Sequence, residues 1–168
     1  MSRPRCLSAA VLICSSLVAG CRHEVAQRGG DRSIELLVRR EAAEVWTQGN
    51  LATIPEIFAD TTIAHYGDQS VATSHADMRS MVGTWRAAFP DLQMAVEDIV
   101  VSGDKAAARY AVSGTHLGEL WGNAPTGRRF RFEQIYFVRV ASGRIVETWG
   151  VWDEYGLRRQ LGLAPRVQ

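Results

Sequence analysis

Alternating apolar residues over 130–140 constrain the fold of this chain more than any other feature. Read in steps of two, one face carries Phe130, Phe132, Gln134, Tyr136, Val138 and Val140. Such alternation is typical of a strand with one face in the core. The amide of Gln134 and the phenol of Tyr136 interrupt this face, and a buried polar group without a partner costs about 1–3 kcal/mol. Either the two side chains line a pocket whose occupant supplies the partners, or neighbouring side chains satisfy them within an ordinary core.

The elements around this strand predict an α+β domain. Apolar spacing predicts three helices: from about residue 31 to Gly49, a short helix capped by Asn50, and from Ser74 to Pro90. Asp77, three residues after Ser74, predicts a variant capping box at the start of the third. Alternation and turn residues predict strands at 62–64, 94–101, 106–115, 128–140 and 144–153. We therefore expect three N-terminal helices packed on a strongly bent, mostly antiparallel sheet. This arrangement forms a cone whose mouth can accept a small apolar molecule.

The turn at 141–143 decides which residues of the last strand face the pocket. A three-residue loop with Gly143 in the left-handed conformation gives the pairs Tyr136–Thr148 and Gln134–Gly150. The inward face of the strand is then Val146, Thr148, Gly150 and Trp152. A two-residue turn shifts the register by one and turns Glu147, Trp149, Val151 and Asp153 inward instead. We favour the longer loop, because Ser142 is a poor residue for the positive φ that the tight turn requires.

The first twenty residues predict a targeting segment. Arg3 and Arg5 precede an apolar stretch, 6–18, that is too short to span a bilayer. Residues 18–21, Val-Ala-Gly-Cys, resemble the lipobox of bacterial lipoproteins, in which the cysteine is lipidated; a secretory signal is the alternative. We expect a lipid on Cys21 as the only membrane contact, a tether over 21–30 and one domain over 31–168. The expected location is the bacterial cell envelope, facing the periplasm from the outer membrane in a Gram-negative host, with a secreted or periplasmic soluble form as the alternative.

Composition argues against several classes of function. Without Arg3 and Arg5, seventeen of the nineteen basic residues remain against eighteen acidic ones, and they are scattered. Nucleic-acid binding needs a clustered basic surface, so it is not expected. The His, Asp and Glu residues lack metal-ligand spacing, and no glycine-rich loop follows a strand to hold phosphate. We therefore expect no metal and no organic cofactor.

Short motifs along the chain resemble a known family. They are Ala88-Phe89-Pro90-Asp91, Gly114-Thr115-His116-x-Gly118, Pro125-Thr126-Gly127-Arg128 and Gly143-Arg144-Ile145-Val146-Glu147-x-Trp149, closed by Trp152-Asp153 and Gln160-Leu161-Gly162. In this order they resemble the SnoaL-like polyketide cyclases, or ester cyclases, of the nuclear transport factor 2-like superfamily, over about 34–163. The resemblance implies a cofactor-free intramolecular aldol reaction. A carboxylate removes a proton from a carbon between carbonyls, and nearby donors hold the enolate oxygen.

The resemblance leaves the acid of this chain unassigned. As we align the hairpin, the family's catalytic histidine and aspartate fall on Tyr136 and Gly150, whereas Gln134 agrees with a pocket glutamine. Asp153 is the candidate base if a bulge carries it to the cavity mouth; its alternative role is to cap the segment that follows. His116 and His65 are the candidate proton partners, with purely structural roles as the alternative.

These observations lead to one hypothesis with two rivals. We expect an envelope-anchored homodimer, packed through its sheet, that binds a small apolar carbonyl compound and catalyses cyclisation or isomerisation by acid–base chemistry. A non-catalytic ligand-binding module and a dimerisation module with a filled cone are the rivals. The residues expected to contact the ligand are Gln134, Tyr136, Trp85, Trp149, Trp152, Tyr110 and Phe132.

Overall fold

A computed structural model of the chain describes residues 30–163. The predicted targeting segment and the lipidation site at Cys21 lie outside the described residues. The first helix, α1, covers residues 30–40 and continues as a π-helical segment, Glu41–Thr47. It is followed by a 3₁₀ turn (Leu51–Thr53), α2 (Ile54–Ile57), β1 (Phe58–Tyr66), β2 (Gln69–Ser74), α3 (His75–Ala88), β3 (Gln93–Ser102), β4 (Lys105–Thr115), β5 (Arg129–Ala141), β6 (Arg144–Trp152) and α4 (Glu154–Leu161).

Side-chain caps fix where the helices begin. The side chain of Asn50 accepts a hydrogen bond from the amide of Ala52 at 3.2 Å, as the sequence predicted for the second helix. At the start of α3, the Ser74 hydroxyl accepts from the Asp77 amide, and the Asp77 carboxylate accepts from the Ser74 amide. This reciprocal pair satisfies amides that lack partners inside the helix. The predicted capping box is confirmed.

The six strands form one sheet in the order β2-β1-β6-β5-β4-β3. Only the pair β1–β6 is parallel, and the other neighbours are antiparallel. The predicted α+β architecture, with helices against a bent and mostly antiparallel sheet, is therefore confirmed. The sequence missed β2, which pairs with β1 as a hairpin inserted between α2 and α3. A fourth helix, α4, follows the sheet and packs against β5.

The predicted register of the last hairpin is wrong. Ala141 pairs with Arg144, so the turn contains two residues, Ser142 and Gly143. Their φ angles are 50° and 72°, the signs of a type I′ turn. The twist of this turn matches that of the strands, which outweighs the cost of a positive φ at a serine. Together with a β-bulge farther along β6, this turn places Tyr136 opposite Gly150 instead of Thr148, and Gln134 opposite Trp152 instead of Gly150.

A β-bulge nevertheless restores the predicted inward face of β6. Val140 pairs with Ile145 and Arg139 pairs with Glu147, which leaves Val146 as an extra residue on β6. One extra residue reverses the parity of every residue after it. Thr148 and Trp152 therefore face the interior, as the longer loop would have placed them. The alternative inward face, which included Glu147 and Trp149, is excluded.

The helices cover one face of the sheet, and the hydrophobic core lies between them. Its fully buried members include Val38, Val45, Ile54, Ile57, Val82, Phe89, Leu92, Ile145 and Leu157. The other face of the sheet is open, and Ile135, Phe137 and Val151 are each at least half exposed there. The homodimer expected through this face stays a prediction. Within residues 30–163, no helix has the length and apolar character that a membrane crossing requires.

Candidate functional site

A cavity of about 520 Å³ lies between the helices and the inner face of the sheet. This volume falls within the range of small-molecule sites. Its apolar lining includes Met78, Met81, Trp85, Trp121, Phe132 and Trp152, and its polar lining includes Glu41, Tyr66, Tyr110, Gln134, Tyr136 and Thr148. Tyr66 and Val71, which also line it, are 39% and 48% exposed. The cavity therefore opens to solvent beside the β1–β2 hairpin.

The carboxyl group of Glu41 is the central polar feature of the cavity. Trp46 Nε1 donates a hydrogen bond to Glu41 Oε1 at 2.7 Å, and the Tyr110 hydroxyl donates to Oε2 at 3.4 Å. Both donors are neutral, and the remaining accessible surface of Glu41 opens into the cavity. Burial raises the pKa of Glu41 to about 7, although the two hydrogen bonds oppose the rise. Glu41 can therefore accept or donate a proton near neutral pH.

The π-helical segment Glu41–Thr47 positions this carboxyl. Glu41 and Trp46 are five residues apart, and on an ordinary α-helix such residues point about 140° away from each other. In a π-helix the backbone bonds link residues five apart, which brings these two side chains to the same side. The widened turn thus allows the indole of Trp46 to hold Glu41 within the cavity. Isolated π-helical turns often occur at functional sites.

Three tyrosines line the cavity. The rings of Tyr110 and Tyr136 meet edge to face, with centroids 6.4 Å apart. The hydroxyl of Tyr136 interacts with that of Tyr66, nearer the mouth. Burial raises the pKa of each phenol above its usual value, and the nearby Glu41 carboxyl raises it further. All three tyrosines are therefore protonated at neutral pH and can donate hydrogen bonds.

Gly150 and Gln134 complete the wall formed by the sheet. A Cβ at position 150 would overlap the ring of Tyr136, so the glycine makes room for this phenol directly opposite on β5. The amide of Gln134 has a weak contact, with Nε2 4.0 Å from the sulfur of Met94. Because sulfur is a poor acceptor, the amide keeps hydrogen-bonding capacity toward the cavity.

Aromatic rings form an apolar wall of the cavity. Trp85, Trp121 and Trp152 pack against one another with ring centroids 5.6–6.2 Å apart, and Phe132 lies 5.7 Å from Trp152. The guanidinium of Arg158 stacks on Trp121 at 4.4 Å and donates to Glu154. Six of the seven residues expected to contact ligand line the cavity: Gln134, Tyr136, Trp85, Trp152, Tyr110 and Phe132. The seventh, Trp149, does not.

Trp149 and His65 lie on the other face of the sheet. Their rings stack with centroids 4.9 Å apart. His65 Nδ1 is 2.8 Å from the Ser70 hydroxyl, and Nε2 is 2.8 Å from Glu147 Oε1. Hydrogen bonds from His65 and from Arg139 lower the pKa of Glu147. This polar cluster bridges β1, β2, β5 and β6, and the structure does not bring His65 to the cavity.

The other two residues predicted to be catalytic also lie away from the cavity lining. Asp153 accepts a hydrogen bond from the Gly156 amide at 2.7 Å and caps α4, the alternative role considered for it. His116 is fully buried next to Phe89, with Nδ1 3.1 Å from the Thr126 hydroxyl. Burial lowers the pKa of His116. Both side chains organise loops beside the sheet.

The described part of the cavity lining offers no cluster of metal-ligating side chains. Within residues 30–163, His, Cys, Asp and Glu side chains do not form any group of three or more with suitable geometry. Of the described residues that line the cavity, none is Lys, Arg or His. Its ionisable groups are carboxyls and phenols, which supply acid–base chemistry directly from side chains.

Comparison with known proteins identifies the family. The model of the SnoaL-like polyketide cyclase family matches residues 36–161. The chain belongs to this family. It is 30% identical over 110 residues to the nogalonic acid methyl ester cyclase of Streptomyces nogalater, covering 64% of this chain and 78% of that protein. It is 44% identical over 55 residues to the aklanonic acid methyl ester cyclase DnrD of Streptomyces peucetius, covering 33% and 38% of the two chains.

A solved structure agrees with the fold. IdmH of Streptomyces antibioticus, a candidate polyketide cyclase, superposes with a TM-score of 0.67 at 31% identity, covering 77% of this chain and 98% of that one. The SnoaL-like resemblance predicted from the motifs and the nuclear transport factor 2-like fold are both confirmed. The chain spans little more than a third of the length of DnrD, so the activity of that relative does not transfer by similarity alone.

Sequence reasoning missed Glu41. The signal was available, because Ile34, Val38, Glu41 and Val45 recur at helical spacing and Glu41 therefore falls on the buried face of α1. An acidic residue within an apolar stripe is a candidate for function, since charged side chains are almost never fully buried without a partner. Gln134 and Tyr136 in β5 were predicted in the same way, as polar residues on an apolar face.

Proposed function

We propose that this SnoaL-like protein binds a small, uncharged, largely apolar carbonyl compound in its cavity and catalyses a cofactor-free reaction that begins with proton removal beside the carbonyl. The observation that carries the proposal is the carboxyl of Glu41, set in a low-polarity cavity among neutral hydrogen-bond donors. Cyclisation and isomerisation both begin with this step. Glu41 takes the role that the sequence had suggested for Asp153.

Glu41 is suited to act as the base. With a pKa near 7 it is a stronger base than an ordinary carboxylate, yet a substantial fraction is ionised at neutral pH. Proton removal leaves negative charge on the carbonyl oxygen of the substrate. Tyr136 can donate to this oxygen, Tyr110 keeps its hydrogen bond to Glu41, and Gln134 can fix the orientation of the substrate. The protonated Glu41 can then return its proton to the product.

The composition of the cavity argues against an anionic substrate. Its acidic residues are Glu41, Asp77 and Glu154, and the described lining has no basic side chain. A free carboxylate would be desolvated beside these groups without a cation to pair with it. The relatives act, by their names, on methyl esters. We propose that this chain likewise takes an esterified or ketonic compound with its apolar part against the tryptophan wall.

Deuterium exchange into a simple ketone tests the proposal without knowledge of the natural substrate. 2-Tetralone has an aromatic ring for the apolar wall and enolisable hydrogens beside its carbonyl. Wild-type protein in deuterated buffer should accelerate loss of the proton signals beside the carbonyl, as followed by NMR. Glu41→Gln should lower the enzyme-dependent rate by at least about a hundredfold, because it removes the general base.

Glu44→Gln is the matched control. Glu44 lies one turn along α1, pairs with Arg40 at 2.7 Å and does not line the cavity, so its replacement should leave exchange unchanged. Equal exchange rates for wild type and Glu41→Gln would refute the role of Glu41. Binding of 2-tetralone without any exchange would instead favour the non-catalytic binding module.

A further inference from the structure

The aromatic residues around Glu41 form a second recognition feature at the inner end of the cavity. Trp46 and Tyr110 both contact its carboxyl, and the ring of Tyr136 meets Tyr110 edge to face. All four side chains line the cavity. Aromatic rings attract cations through their electron-rich faces, and an aromatic enclosure with a carboxylate is a recurrent binding site for ammonium groups.

Glu41 differs from Glu44 and Glu147 in the kind of partners it has. Glu44, on the same helix, is paired with the guanidinium of Arg40, and Glu147 accepts from Arg139. The two donors to Glu41 are an indole and a phenol, and the described cavity lining offers no basic side chain. An ionised Glu41 is therefore a buried anion without a cation, a situation that is costly until a cation is supplied.

We propose that the cavity binds hydrophobic ammonium compounds, with the cationic nitrogen against Glu41 among Trp46, Tyr110 and Tyr136 and the apolar body against the tryptophan wall. This binding activity depends on the cavity and on the charge of Glu41, and it does not require turnover. An ammonium ligand pairs with the proposed base, so it should also inhibit exchange of 2-tetralone competitively.

Binding of such a ligand should be coupled to the proton on Glu41. The ammonium ion stabilises the carboxylate form, so it lowers the pKa of Glu41 from its value near 7. Near neutral pH, binding must therefore release protons to the buffer. Affinity for the cation should rise by about tenfold from pH 6 to pH 8, as the fraction of ionised Glu41 grows.

Three probes of matched shape test the proposal by isothermal titration calorimetry. They are 2-naphthylmethylamine, which is cationic, 2-naphthylmethanol, which is neutral, and 2-naphthoate, which is anionic. At pH 8 the amine should bind at least about tenfold more tightly than the alcohol, and the naphthoate should bind most weakly. At pH 7, where about half of Glu41 is protonated, titration of wild-type protein in buffers of different ionisation enthalpy should show proton release with the amine alone.

Variants separate charge recognition from hydrophobic binding. Glu41→Gln should remove the advantage of the amine over the alcohol, and Glu44→Gln should keep it. Equal affinity for amine and alcohol in the wild type, or an advantage that persists in Glu41→Gln, would overturn the proposal. Absence of proton release in the wild type would overturn it independently of any variant. None of these results alters the deuterium-exchange test, so the two proposals fail separately.

Discussion

Replacing Glu41 by glutamine should change how stability depends on pH. An unfolded glutamate titrates near 4.5, whereas folded Glu41 titrates near 7. Between these values the folded chain binds more protons than the unfolded chain, so stability falls as pH rises. Below this interval Glu41 is protonated in both states, so its burial does not lower stability through charge. Above about pH 7 it is ionised in both states, and the full free-energy cost of burying the charged carboxylate is present. A difference of about 2.5 pH units corresponds to about 3 kcal/mol.

Urea denaturation followed by far-ultraviolet circular dichroism measures this effect. The free energy of unfolding of Glu41→Gln minus that of the wild type should rise by about 3 kcal/mol from pH 4.5 to pH 7.5. Taking the difference cancels the titration of all other groups. Glu44→Gln is the control. The hydrogen bond from Arg40 lowers the pKa of Glu44, so the same stability difference should change with pH in the opposite direction for this variant. A difference for Glu41→Gln that stays flat over this interval would refute the reasoning.

Other substitutions test single contacts. Trp46→Phe removes the donor to Glu41 and should raise its pKa by about one to two pH units, as measured by the same pH series. Gly150→Ala should destabilise the fold by about 1–3 kcal/mol because its Cβ overlaps the facing phenol, whereas Gly83→Ala, with open space on α3, should be neutral or stabilising in urea denaturation. Asp153→Asn keeps a capping oxygen and should leave ketone exchange unchanged, while Asp153→Ala should cost about 1 kcal/mol of stability.

The sequence predicted the elements that depend on local rules. The Ser74–Asp77 box, the Asn50 cap and the four long strand regions of the sheet follow from capping chemistry and from apolar alternation. β2 was missed because it is an exposed edge strand with no alternation to detect. It pairs with β1 alone, and residues 69–74 carry no sequence pattern that indicates a partner strand.

The hairpin between β5 and β6 shows why register is harder to predict than the presence of a strand. The structure differs from the predicted hairpin in two ways: it has a tight turn at Ser142, and it has an extra residue, Val146, on β6. Each difference shifts the register by one residue, so their effects on which side chains face inward cancel. The inward positions of Thr148 and Trp152 were therefore predicted correctly from an incorrect loop. Sequence pattern alone reports the facing of side chains and does not report the turn that produces it.

The polar centre of the cavity was predicted only in part. Gln134 and Tyr136 were found because alternation on one strand exposes an exception. The contact between Glu41 and Tyr110 joins α1 to β4 across 69 residues, and it depends on a π-helical turn. Neither the long-range contact nor the widened turn has a local sequence signal. The apolar stripe could mark Glu41 as a buried acid, but it could not show that Glu41 meets Tyr110.

The pKa of Glu41 tests the account most directly. Carbon-13 NMR of protein labelled at glutamate side-chain carboxyls, with Glu41→Gln to assign the resonance, measures this value without any ligand. The carboxyl of Glu41 should titrate near pH 7, because its burial disfavours the charged form and its two donors, Trp46 and Tyr110, are neutral. A resonance of Glu41 that titrates near 4.5 would show an ordinary solvated carboxylate and would contradict both the proposed base and the proposed ammonium site.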